Sequence, residues 1–238
     1  MKNFRNIFYR FGMVFALVAC NDAIDIDQPG RLDADAAFQT VDDLEQGLFG
    51  VYDDIDTSPE IAFSSIFTDE LSIGFDNGGQ GLADYGFVLK AGSTAPANFW
   101  TRNSAASASA NLVIEAADLI TPDGAAEQAT YNQVLGETLA LRAFAHFELM
   151  SYFVTDYTDN SALGVPYLDI IPSIDAQPLR DPSGDVWNEI LEDLSTADGL
   201  LSNDTSDPTR INKDFIKAMR ARIAAYRGDY TTAATLSQ

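Results

Sequence analysis

One thiol, one imidazole and many carboxylates are the groups in this chain that could do chemistry. Its 238 residues include a single cysteine, Cys20, and a single histidine, His146. Any Ser-His-Asp or Cys-His arrangement must use His146. That residue stands between Phe144 and Phe147 in a long apolar run, where packing or capping is the simpler role. The counts exclude a three-histidine or multi-thiolate zinc site and an internal disulfide framework. Carboxylates are plentiful, with 36 Asp and Glu. Asp53-Asp54-Ile55-Asp56 and Asp76-Asn77-Gly78 bring together oxygen ligands of the kind calcium prefers, yet neither has EF-hand spacing. In so acidic a chain such clusters read as solvated surface. Gly78-Gly79-Gln80-Gly81 lacks the lysine and the strand-to-helix setting of a phosphate loop. No catalytic residue, metal ligand or cofactor is therefore assigned.

The surroundings of Cys20 are more specific. Met1 to Arg10 is basic, and Phe11 to Ala19 is a nine-residue apolar stretch. That stretch is too short for a membrane span, which needs about 20 apolar residues, and it suits a signal-peptide core. Leu17-Val18-Ala19-Cys20 resembles the lipobox of bacterial lipoproteins. The resemblance implies cleavage before Cys20, a diacylglyceryl thioether on its sulfur and an acylated amine, including palmitate-type chains. The competing reading is a buried cysteine in an ordinary apolar segment. Residues 20–39 then form a polar, acidic tether. Its spaced acids, Asp22, Asp25 and Asp27, loosely resemble the surface-export signal of Bacteroidota lipoproteins.

Charge narrows the partners. The formal net charge is −22; removal of residues 1–19, with Lys2, Arg5 and Arg10, leaves 11 positive against 36 negative residues, or −25. Such a body repels phosphate backbones, so nucleic acid is a poor partner, whereas an uncharged sugar is indifferent to it. The 46% hydrophobic content supports a real core.

The elements that must position any site are helical. Thr40 caps a helix over Val41–Ile55, in which Leu44, Leu48, Val51 and Ile55 share a face, and Pro59 ends it. Residues 56–98 read as irregular, with a turn cluster at Asp76 to Gly81 and scattered aromatics. A stretch so long without regular structure is often functional. A second helix spans Ala97–Ile120, and its Ser104–Ala110 run of small residues allows close helix approach. The third and longest, Ala125–Val154, is apolar on most sides and hence buried. A fourth runs from Pro182 or Ser183 to Leu201. Asn212 caps a fifth through Tyr226, Gly228 breaks it, and Asp229 opens a sixth. The class is mainly α.

Three segments, in order behind the lipobox, carry a family resemblance. They are Leu139-Ala-Leu-Arg142-Ala-Phe144-Ala-His146-Phe147 with Gly164-Val165-Pro166-Tyr167; Asp185-Val186-Trp187-Asn188 through Ala197; and Lys217-Ala218-Met-Arg220-Ala221-Arg222 through Tyr226-Arg-Gly228-Asp229-Tyr230. Together they resemble the amino-terminal half of a SusD/RagB lipoprotein. The third also resembles a tetratricopeptide helix pair, in which Ala218, Ala221 and Ala224 admit a neighbouring helix and Gly228 permits the turn. The resemblance implies tetratricopeptide-like helix pairs overlaid by long irregular loops, and a helical domain over residues 40–238 that lacks a carboxy-terminal part. It further implies a non-catalytic, lipid-anchored outer-membrane protein facing the cell exterior. Such a protein binds oligosaccharide or another nutrient as partner of a TonB-dependent, SusC-like transporter.

Sugar binding of this kind needs flat aromatic faces and polar groups. Trp100, Tyr85 and Phe87 are the candidate faces; Asn77, Gln80 and Asn98 are the candidate hydrogen-bonders. The competing reading is that Trp100 and Phe99 simply pack a helix onto the core. Two other functional classes stay open: a helical-repeat scaffold lipoprotein binding only protein, and a secreted glycoside hydrolase using two carboxylates.

Overall fold

The computed structural model describes residues 37–90, 92–173 and 175–238. Cys20, its lipobox Leu17-Val18-Ala19 and most of the tether lie outside the described residues.

Helix α1, Val41–Asp54, starts at a reciprocal cap: Thr40 Oγ1 accepts from Asp43 N at 3.2 Å, and the Asp43 carboxylate accepts from Thr40 N at 2.9 Å. Its buried stripe is Val41, Leu44, Leu48 and Val51. The next stretch corrects the reading of residues 56–98 as irregular. Ser58–Phe67 is a ten-residue helix, α2, and Leu82–Tyr85 is a single turn, α3. Pro59, read as a stop, lies in the first turn of α2, where no intrahelical N–H is required and the fixed φ favours helix. The same effect moves the following start. Helix α4 spans Thr94–Ala117 and takes Pro96 into its first turn.

Helix α5, Gly124–Phe153, is the axis of the fold; α4 and α6 (Ser183–Leu200) flank it, and α1 packs on both α4 and α5. The small residues act as expected: Ala106, Ser107 and Ala110 of α4 are buried. Helix α7, Lys213–Tyr226, begins where Asn212 Oδ1 accepts from Asp214 N and Phe215 N at 3.0 and 3.2 Å. Gly228, at φ +77°, reverses the chain into α8, Tyr230–Leu236, which packs back on α7 as a helix pair. Among the described residues no strand forms, and the expected mainly α class is the observed one.

The axial helix carries more charge than a buried helix should. Glu137, Arg142, His146 and Glu148 are all buried, and each has partners from outside α5, as burial of such groups requires. Glu137 accepts from Arg210 at 2.9 Å and from the Tyr52 hydroxyl at 2.5 Å. Burial and this carboxylate together raise the Tyr52 hydroxyl well above the usual phenol range.

Between α5 and α6 the chain makes a loop pinned at its neck. Gly164 N donates to Asp181 O at 2.8 Å, and Tyr167 N to the Asp181 carboxylate at 2.8 Å. Arg180 threads the neck, donating to the carbonyls of Gly164 at 2.6 Å, Leu163 at 2.9 Å and Phe153. The single bridge Leu163–Pro182 closes it.

Candidate functional site

On α4, the residues Trp100, Ser104, Ser107 and Asn111 follow one another at helical spacing and share a face. The pinned loop lies across that face. Asn111 Nδ2 fastens it, donating to Leu168 O at 2.8 Å and Ile170 O at 3.3 Å. The space left between helix and loop is a slot of about 190 Å³. Trp100 stands at it, partly exposed at 37%, with its ring edge-on to Phe153 at 5.1 Å. Pro166, Leu168, Ile170, Pro172 and Pro178 form the loop wall, and His146 of α5 forms part of the floor.

Behind the floor is a polar network without a free charge. Arg142 donates through Nε and Nη2 to Asp193 of α6 and through Nη1 to Asn111 Oδ1 at 2.9 Å. The Tyr167 hydroxyl donates to the same carboxylate at 2.7 Å, and burial followed by that negative charge drives its pKa far up. The His146 ring lies 4.3 Å from the Tyr167 ring. Burial holds the imidazole pKa down at about 4, so it is neutral at physiological pH. Its expected packing role is thus joined by a position at a cavity.

The other sequence candidates lie elsewhere. Residues 79–94 frame a separate open groove of about 830 Å³, lined by Gly79, Leu82, Asp84, Val88, Lys90 and Thr94 among others. Gln80, Tyr85 and Phe87 fall within that segment and Asn77 just before it, but none of the four lines either that groove or the Trp100 slot. The Asn77 side chain is committed to its own turn, donating to Gln80 O at 2.6 Å, which leaves its amide nitrogen less free to reach a ligand. Phe87 is half exposed and held at φ +54°, an uncommon conformation for a bulky residue. Tyr85 is half-buried, while Gln80 and Asn98 are exposed.

A chain of rings nonetheless links the two regions. Phe87 meets Phe67 edge-on at 5.6 Å, Phe67 stacks on Phe63 at 4.2 Å, Phe63 meets Phe99 at 5.3 Å, and Phe99 meets Tyr152 at 4.8 Å. Phe99 is core, as the packing alternative held; its neighbour Trp100 faces outward. Sequence reasoning missed Ser104, Ser107 and Asn111. The signal was present as a polar stripe at positions i, i+4, i+7 and i+11 from Trp100, hidden in a run of alanines.

Solved structures share this helical arrangement. A putative sugar binding protein from Bacteroides vulgatus superposes with a TM-score of 0.68 at 23% identity, over 84% of this chain and 45% of that one. A SusD superfamily protein from the same organism gives 0.64 at 26%, over 84% and 46%. A laminarin binding SusD-like protein gives 0.60 at 20%, over 84% and 43%. The chain therefore spans less than half the length of these relatives. No curated protein matches it significantly. No described helix is long and apolar enough to cross a membrane. A SusD-like family model described as starch-binding associating with outer membrane matches residues 25–224. That match takes in every helix from α1 to α6 and most of α7, and the chain belongs to the SusD-like family.

Proposed function

We propose that this protein captures a glycan or related nutrient at the outer membrane and passes it, without cleaving it, to a TonB-dependent transporter. The observation that carries the reading is Trp100: a large aromatic face left partly exposed beside a preformed slot, in a chain of a family described as starch-binding. Pyranose rings present apolar faces that stack on such a surface, and the hydroxyl groups of Ser104 and Ser107 lie along the same helix. The half-exposed Phe87, with Tyr85 and Gln80 near it, supplies a second contact zone for a longer chain. Asn77 supports that zone as a turn former.

Attachment is through lipid on Cys20, with cleavage after Ala19 and the protein facing outward. Radiolabelled palmitate is expected to enter the full chain and to be lost in Cys20→Ser. Equal labelling of both would remove the anchor from the reading.

Affinity electrophoresis through gels cast with different polysaccharides tests the capture itself. At least one neutral polysaccharide should retard the full chain, and Trp100→Ala should migrate freely. Failure of every polysaccharide, or release of reducing ends from one, would overturn it.

A further inference from the structure

The floor of the slot has a fixed hydrogen-bonding sense. His146 Nδ1 lies 3.0 Å from the Arg142 carbonyl oxygen. A carbonyl only accepts, so Nδ1 carries the ring proton and Nε2 is left as a lone pair. The protein donors within reach of that lone pair, Ser107 Oγ and Leu168 N, both stand 3.4 Å away. That is well beyond the usual 2.7–3.2 Å range. A buried acceptor therefore faces the slot with only long contacts to it.

The slot is also without a cation. None of its lining side chains among the described residues is Lys or Arg. Arg142, behind the floor, has its nitrogens on Asp193 and Asn111. At the imidazole the negative potential of Asp193 and Asp169 is set against the positive potential of Arg142, so no net positive field favours an anion. An anion placed here would meet a lone pair and no cation free to pair with it. At about 190 Å³ the slot falls below the ~300 Å³ at which pockets for larger ligands begin, so it holds one ring and not a chain of them.

We infer, building on the glycan-capture reading above, that the slot is a specificity subsite for one uncharged sugar ring. The ring lays its apolar face toward Trp100 and donates a hydroxyl hydrogen bond to His146 Nε2. Uronic acids and phosphorylated sugars are refused, because their charge would be desolvated without a partner. Specificity at this position thus comes from an acceptor that stays neutral, held in one tautomer by the backbone of its own helix.

The chain is well equipped to test this, since His146 is its only histidine and it has two tryptophans. Trp187 is wholly buried and Trp100 is partly exposed, so ligand-dependent quenching reports Trp100. The full chain, labelled with ¹⁵N, is titrated with neutral methyl glycosides and with the matching methyl uronates, in high salt to screen the net charge. A neutral glycoside should shift the Nε2 resonance and quench Trp100, and the uronate should bind about tenfold more weakly or not at all. Gels with neutral polysaccharide run in parallel. Retardation there without any Nε2 shift would overturn the subsite and leave glycan capture standing; loss of both would overturn both. A uronate that binds as well as its neutral counterpart would also overturn the subsite. Because the wild-type chain gives the primary readout, the outcome does not depend on whether a His146 variant folds.

Discussion

Arg142 of α5 grips Asp193 of α6 with two nitrogens, Nε to Oδ2 at 2.8 Å and Nη2 to Oδ1 at 2.6 Å, although 51 residues separate them. Both side chains are more than nine-tenths buried. The pair joins the two helices directly behind the candidate site. Loss of one partner leaves the other buried and uncompensated, which costs about 3–5 kcal/mol, whereas replacement of both by apolar groups is often neutral or better. Arg142→Leu or Asp193→Leu alone should therefore lower stability by that amount, and the double variant should recover much of it. Urea unfolding followed by helical circular dichroism checks this. A double variant as unstable as the sum of the singles would refute the uncompensated-charge account.

A second buried acid sets the pH response. Glu148 accepts from Arg222 at 3.2 Å, but its Oε2 has no hydrogen-bond partner, and Glu60 of α2 shares the same guanidinium at 4.0 Å. Burial first, and the nearby Glu60 next, push the Glu148 pKa up to about 8. A proton on Glu148 therefore favours the folded state, and stability falls as pH rises from the unfolded carboxyl value toward 8. His146 acts in the opposite direction. Its folded pKa is lowered to about 4, so its contribution is lost as pH falls from about 6.5. The two slopes oppose each other in mild acid, and between about pH 6.5 and 8 His146 no longer offsets Glu148. Thermal melts across that window should show a falling Tm in the wild type and a nearly flat one in Glu148→Gln. Parallel profiles would count against Glu148 as the source of the slope.

Gly136 tests packing against helix propensity. An alanine in a helix interior is normally about 1 kcal/mol better than glycine. Here a Cβ would lie 2.9 Å from Leu201 Cγ and Cδ2 and 3.3 Å from Leu200 Cβ. Leu201 is buried at 3% exposure and has little room to retreat. Overpacking costs about 1–3 kcal/mol and should win. Gly136→Ala is expected to destabilise, with partial rescue by Leu201→Ala. A rise in Tm on Gly136→Ala alone would show that the α5–α6 contact yields more than the geometry suggests.

The two tryptophans should separate stability from binding. Trp187 is fully buried, and truncating it to alanine costs about 3–5 kcal/mol. Trp100 keeps 37% of its surface exposed, so Trp100→Ala should cost clearly less than Trp187→Ala, about 1–2 kcal/mol, while abolishing retardation by polysaccharide. Chemical denaturation of both variants, with gel retardation of Trp100→Ala, gives the comparison. Loss of fold in Trp100→Ala would return that residue to the core.

What could be read in advance followed local rules. Thr40 with Asp43, Asn212 and Asp229 each mark a helix start by side-chain capping, and each does so in the structure. The alanines around Ser107 and the long apolar run through Phe147 gave the central helices. Helix α2 is hard to foresee because Pro59 suits a terminator as well as a first turn, and nothing local distinguishes a proline after one helix from a proline inside the first turn of the next. The slot escaped for a different reason. Its parts come from α4, α5 and the loop before α6, and the bonds that assemble it, such as Asn111 to Leu168, span 57 residues. Trp100 is legible as a candidate; that Tyr85 and Phe87 stand apart from its slot is not.

The pinned neck of the loop decides which of its positions can vary. Arg180 and the Gly164–Asp181 bond close the neck, and Tyr167, Leu168 and Ile170 tie the first part of the loop to α6, α5 and α4. Beyond those ties, the exposed Ile171 and Leu179 can be replaced without unsettling α5 or α6. Substitutions there would recast the outer rim of the recess while leaving its helical face in place.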